Sequence, residues 1–189
     1  MFELNHLAFG TESIEEADKR LRDLGFRTVR GVCRWPMPAA TYSAPSLSVM
    51  FADTYLDVIG FAGAGRGISG TGVVLGTDDF DAALVELEDF RPRPYEIERT
   101  LESGDRILYR IASLKIATRI PVLVIHDGDP QVMRTPKALA HPNGARGLMR
   151  VRLAAARDLE RLTRAVELGT ETGAALEFEL TPRGPRYPW

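Results

Sequence analysis

Ala8-Phe9-Gly10-Thr11-Glu12-Ser13-Ile14-Glu15-Glu16-Ala17 lines up without a gap on Val74-Leu75-Gly76-Thr77-Asp78-Asp79-Phe80-Asp81-Ala82-Ala83, a shift of 66 residues. Gly, Thr and Ala match outright, acids meet acids at 12/78 and 15/81, and Ile14 meets Phe80. Further along, Leu21 falls on Leu87 and Asp23 on Asp89. The same shift carries Leu56-Asp57-Val58-Ile59 onto Val122-Leu123-Val124-Ile125. One register kept at both ends of a unit is the signature of a duplication, and it sets the organisation of the chain.

Each copy begins with a short apolar strand. Over 4–9, alternation puts His6 on one face and Leu7 and Phe9 on the other. Ser13-Ile14-Glu15-Glu16 has the form of a capping box, and Ile14, Ala17, Leu21 and Leu24 follow at helical spacing until Gly25 stops the helix. In the second copy 73–76 reads as the strand, Asp79 as the cap, and Phe80, Ala83, Leu84 and Leu87 as the buried stripe. Extended segments follow each helix: 26–32, 40–43, 47–51 and 55–61 in the first copy, and 95–100, 107–112 and 120–126 in the second. A third, partial copy is expected at about 146–181, with strands at 148–153 and 175–180, a cap at Asp158, and Leu159, Leu162 and Val166 as its helical stripe. The segment 60–72, with six glycines, reads as the hinge between units of about 1–62 and 70–127. The expected fold is therefore α+β: tandem βαβββ units forming an open barrel-like trough, with a partial βαβ copy behind them, in a single domain over 1–189.

Composition narrows the function classes. With 44% hydrophobic and 26% charged residues the chain is an ordinary globular one. A net charge of −2 offers no electrostatic case for nucleic acid or an anionic membrane surface. No apolar run reaches the roughly 20 residues of a membrane span, and no signal-peptide pattern opens the sequence. A single cysteine, Cys33, excludes an internal disulfide and is compatible with a cytoplasmic location, which is the default expectation. The partner expected is a small molecule, and a homodimer is compatible with the sequence.

Several stretches, in order, resemble the glyoxalase-like domain proteins of the vicinal oxygen chelate superfamily. They are Asn5-His6-Leu7-Ala8, Asp53-Thr54-Tyr55-Leu56-Asp57-Val58-Ile59, the 76–83 stretch quoted above, Ile120-Pro121-Val122-Leu123-Val124-Ile125 and His141-Pro142-Asn143-Gly144-Ala145. The resemblance implies paired units around one small-molecule cavity. It also implies a divalent metal (Zn, Mn, Ni or Fe) held by a His on the first strand and a carboxylate on the last, roles matched here by His6 and Asp57. The repeat tests this directly, because the equivalents in the second copy are Gly72 and Leu123, which offer no donor. His126 stands three residues past Leu123 and faces the other way on a regular strand. The segment 32–43 also lacks the His and the Gly-Thr-x-Asn ending that the family carries there. The resemblance thus implies a small-molecule-binding protein, as a metal-dependent lyase, isomerase or dioxygenase or, alternatively, a binding protein without its metal. No catalytic acid or base is assigned.

Ligand-binding candidates come from residue chemistry. Arg34 beside Trp35, and Arg110 beside Tyr109, each pair a forked cation with an aromatic surface, which suits a small organic acid with an apolar or aromatic body. His141 is a further candidate, although His-Pro-Asn-Gly is also the composition of a tight turn. Asp57 sits in an apolar strand and needs a partner; a metal, Arg34 or Arg110 would serve.

Overall fold

The computed structural model describes residues 2–36, 41–63, 69–116, 121–128, 130–153 and 175–180. Eight strands close into one ring in the order β1-β4-β3-β2-β6-β7-β8-β5. The first unit supplies β1 (Glu3–Thr11), α1 (Ile14–Asp23), β2 (Val29–Pro36), β3 (Thr41–Met50) and β4 (Tyr55–Gly60). The second supplies β5 (Ser69–Gly76), α2 (Phe80–Glu86), β6 (Arg93–Leu101), β7 (Arg106–Ser113) and β8 (Val122–Asp127). Both units run in the same internal order, and the expected trough is a complete barrel.

The register of the strands repeats the shift seen in the sequence. Parallel to β1, β4 sets Leu7 opposite Leu56 and Ala8 opposite Asp57; β5 and β8 set Val73 opposite Val122 and Val74 opposite Leu123. Two antiparallel seams join the units. Leu7 pairs with Val73 across β1–β5, and Cys33 with Arg99 across β2–β6. Partners in each pair are 66 residues apart, so a local twofold axis runs through both seams.

Alternation divides the core in two. Leu7, Phe9, Leu56, Val58, Val73, Leu75, Val122 and Val124 point outward, where Ile14, Ala17 and Leu21 of α1 and Ala83 of α2 cover them. Ala8, Cys33, Trp35, Tyr55, Val74, Ile97, Tyr109, Ile111 and Ile125 point inward. Ser13 caps α1 by accepting from the Glu16 amide, and Asp79 caps α2 by accepting from the Ala82 amide. The capping box is only half formed, because the Glu16 carboxylate accepts from Arg20 one turn on instead of reaching back. Leu24 leaves the stripe: it is the C-cap of α1 and 65% exposed, since the chain turns away at Gly25 with φ of 82°. The separate segments expected at 40–43 and 47–51 are one continuous strand, β3.

After β8 a short helix, α3 (Pro136–Leu139), precedes a parallel pair of strands, β9 (Gly147–Leu153) and β10 (Ala175–Leu180). These are the two strands expected of the partial third copy. Its expected helix, with Asp158, Leu159, Leu162 and Val166, lies outside the described residues. No helix among the described residues is long and apolar enough to cross a membrane.

Candidate functional site

The inward faces of the strands enclose a cavity of about 430 Å³. Its walls are mostly apolar, among them Ala8, Trp35, Ile59, Val74, Ile97 and Ile111. That volume and lining are typical of a small-molecule site. Its buried polar groups are His6, Cys33, Tyr55, Asp57, Arg99 and Tyr109, and the exposed cations Arg91, Arg93 and Lys115 also line it.

Asp57 and Arg99 form the central pair. Arg99 Nη1 donates to Asp57 Oδ1 at 2.9 Å, and Ser48 Oγ donates to the same oxygen at 2.7 Å. The guanidinium is 1% exposed. Burial works against its charge, but the Asp57 carboxylate beside it more than reverses this, so Arg99 stays protonated. Its Nε and Nη2 have no hydrogen-bond partner among the described residues. These two nitrogens form the side edge of the guanidinium, which presents two parallel N–H bonds and matches a pair of oxygens. Room for the arginine comes from Gly31, where a Cβ would lie 3.1 Å from Nε. Arg99 was the residue that sequence reading missed, although its signal was present. In 95–101 it falls in phase with Tyr95, Ile97 and Leu101, so alternation alone sends it to the apolar face.

His6 is the second polar centre. Asn5 Nδ2 donates to Asp127 Oδ2 at 2.9 Å, and this turns Asn5 Oδ1 toward His6 Nδ1, 2.6 Å away. A carboxylate offers no donor and an amide oxygen only accepts, so the proton of the neutral ring sits on Nδ1 and the lone pair on Nε2. Tyr55 stacks on the imidazole, with centroids 4.2 Å apart and planes 21° apart. Burial lowers the His6 pKa from the ordinary 6.5 to about 4, against the opposing pull of Asp57 and Asp127. Burial likewise raises the Cys33 thiol to about 11, so it is a protonated wall residue that donates to Ser46.

The structure brings His6, Asp57, Trp35 and Tyr109 together in the cavity. It places the other candidates elsewhere. Arg34 lies on the outer surface and pairs with Glu98. Arg110 is also outside, paired with Asp81 and lying over the Phe80 ring at 4.6 Å. Neither is the partner of Asp57; Arg99 is, because it comes from the strand across the barrel. His141 is buried outside the cavity between Phe26 and Phe51. Its Nδ1 accepts from the Arg27 amide and its Nε2 meets the Met50 carbonyl at 2.8 Å, so both nitrogens are committed to the scaffold. His126 faces away as expected, with Nδ1 on the Thr77 carbonyl.

These donors fall short of a divalent-metal site. A catalytic metal ordinarily takes three protein ligands, and among the described residues no cluster of three His, Cys, Asp or Glu side chains exists. The Asp57 oxygen that would serve already accepts from a guanidinium and a hydroxyl. In the other half, Leu123 fills the equivalent space: a Cβ on Gly72 would lie 3.3 Å from its Cδ1. The positive charge facing Asp57 is carried by Arg99.

No protein-family model matches this sequence, and a search of curated proteins finds no match. Among solved structures, a variant of Streptomyces coelicolor methylmalonyl-CoA epimerase in complex with 2-nitronate-propionyl-CoA is similar at 15% identity and a TM-score of 0.44, covering 67% of this chain and 97% of that one. A methylmalonyl-CoA epimerase from Mycobacterium tuberculosis is similar at 15% identity and a TM-score of 0.43, covering 70% of this chain and 91% of its own. Likeness of this size bears on neither activity nor ligand. Strand order, register and repeat, read from this chain itself, give two paired βαβββ units closed into one barrel, the glyoxalase-like fold.

Proposed function

We propose that the protein binds a small organic acid with an apolar or aromatic body inside the barrel, and that Arg99 holds the acid group. One observation carries this reading: a fully buried guanidinium on the cavity wall keeps Nε and Nη2 without a hydrogen-bond partner among the described residues. Buried donors left unpaired are costly, more so on a charged group, and an incoming pair of oxygens relieves that cost. The guanidinium turns on its flexible stem to meet them, while Asp57 keeps hold of Nη1. Trp35, Ile97 and Ile111 cover the apolar body. Arg34 and Arg110, satisfied on the outer surface, take no part.

Calorimetry with aromatic and aliphatic carboxylic acids, each against its amide, tests the reading. Acids should bind and their amides at least tenfold more weakly, and Arg99→Met should abolish the preference. Equal binding of the amides, or an unchanged preference in Arg99→Met, would end it. Arg110→Met should bind like the wild type.

A further inference from the structure

We infer that the ligand is an elongated dianion: an acid on Arg99 whose apolar body carries a second anionic group, taken by Arg91, Arg93 and Lys115 at one end of the barrel. The inference rests on the ligand reading above and extends it from one acid group to two. It starts from alternation along β6. Arg93, Tyr95, Ile97 and Arg99 are in phase and all line the cavity, so one strand sets a cation, an aromatic ring, an aliphatic side chain and a second cation in a row. From 93 to 99 an extended strand rises about 20 Å. The end beyond Arg99 is plugged: Met133 and Ala138 are buried in the inner cluster, and Tyr109 Oη donates to Met133 Sδ. A body too long for the interior therefore extends toward Arg93.

The two ends of the row differ in charge balance. Arg99 is buried and paired with Asp57, whereas Arg91, Arg93 and Lys115 are exposed and have no ion pair among the described residues. Asp57 is also the one carboxylate among the described residues that line the cavity, so the outer cations face no acid across it. Their backbones are tied into one corner. Arg93 stands opposite Ser113 across β6–β7, and the Lys115 amide donates to the Phe90 carbonyl at 2.7 Å. Pro92 and Pro94 stiffen the chain on both sides of Arg93. Arg91 sits at φ 47° and ψ 61°, and among the described residues it alone, glycines aside, has positive φ. That conformation is ordinarily left to glycine, and such outliers gather where a ligand is held. Glycine would suit the backbone there and give up the charge.

Hexanedioic and dodecanedioic acids, each against its monoamide, test the inference by calorimetry. The monoamide keeps one acid group for Arg99 and offers the outer cations a neutral group at the same distance. Dodecanedioic acid should bind about tenfold more tightly than its monoamide, the scale of a few exposed ion pairs, and the ratio should shrink at about 1 M salt. Hexanedioic acid, too short to span the row, should gain no more than the statistical factor of having two ends. Arg93→Gln with Lys115→Gln should bring the dodecanedioic ratio down to that factor, whereas Arg110→Gln, on the outer wall, should not change it. Arg91→Gly should lower the ratio without loss of stability. Equal binding of dodecanedioic acid and its monoamide, an equal gain for the short diacid, or a ratio untouched by the double variant would overturn the inference and leave the ligand reading standing. Failure of all four compounds to bind would overturn it too, and the ligand reading falls with it only if the aromatic acids above also fail.

Discussion

At the scale of single residues, the barrel interior is governed by which charges have partners. Arg99 and Asp57 neutralise one another across it, and Ser48 steadies the carboxylate. His6 is surrounded by titratable groups from every side: Asp57 and Tyr55 on β4, Asp127 on β8 and Arg99 on β6. Its folded pKa, about 4, lies below the ordinary 6.5, so between these values the unfolded chain binds more protons than the native one. The stability that neutral His6 confers is therefore complete above about pH 6.5 and is lost as pH falls toward 4. The size is roughly 3 kcal/mol at one pKa unit per 1.36 kcal/mol. Urea unfolding of wild type against His6→Gln across pH 4–7 should show this extra slope only in the wild type. Parallel profiles would mean that His6 titrates normally. His6 and Asp57 were legible as a pair because each stands in phase with apolar neighbours. Arg99 is in phase too, but a charge read along one strand gives no hint of its counter-ion, which here lies 42 positions away in the chain.

Among the elements, α1 is the one most heavily tied down. Asp18, buried on its inner side, accepts from Thr28, Arg22 and Arg30, and these hydrogen bonds outweigh burial to hold its carboxyl below the usual range. The far end is clamped by the turn at 141–144. Asn143 donates its amide N–H to the Gly25 carbonyl and its Nδ2 to the Leu24 carbonyl, and the Gly144 amide closes the turn on the His141 carbonyl. A Cβ on Gly25 would sit 2.8 Å from that of Asn143, so glycine is required there both for its φ and for this contact. His-Pro-Asn-Gly was legible as a turn; what it grips was not, since the helix end lies more than a hundred residues earlier. His141→Ala removes an acceptor and a donor that are both buried, and it should cost about 2–4 kcal/mol in urea unfolding. Acid binding should be unchanged when assayed well below the denaturation midpoint. A variant of wild-type stability that had lost binding would put His141 in the site after all.

For the whole molecule, duplication explains both the closed ring and the asymmetry of its contents. The shift of 66 was readable because the strands that meet at the seams keep their pairing, and the positions on the axis, Leu7 with Val73 and Cys33 with Arg99, cannot slip without breaking both. The repeat fades at the third strand of each unit. Ser48 stands opposite Asp57, while the residue opposite Leu123 is Ser113, 65 positions on. That loss of register hides the β3–β7 relation from any fixed-shift comparison. The two seams are also unequal: β1 and β5 share seven register pairs, β2 and β6 only four. The shorter seam carries Arg99, so the weaker of the two joins between the units passes through its central charge. An enclosed ligand has to enter by some local opening, and of the two seams between the units the one with fewer paired residues opens at the lower free energy. Amide hydrogen exchange should therefore be faster at 31–34 and 98–101 than at 6–9 and 72–75 in the free protein. A bound aromatic acid, by holding Arg99 and bridging the interior, should slow the first pair of segments and leave the second nearly as it was. Uniform exchange across both seams, or protection confined to β1–β5 on adding the acid, would place the opening, and with it the route of entry, on the other side of the barrel.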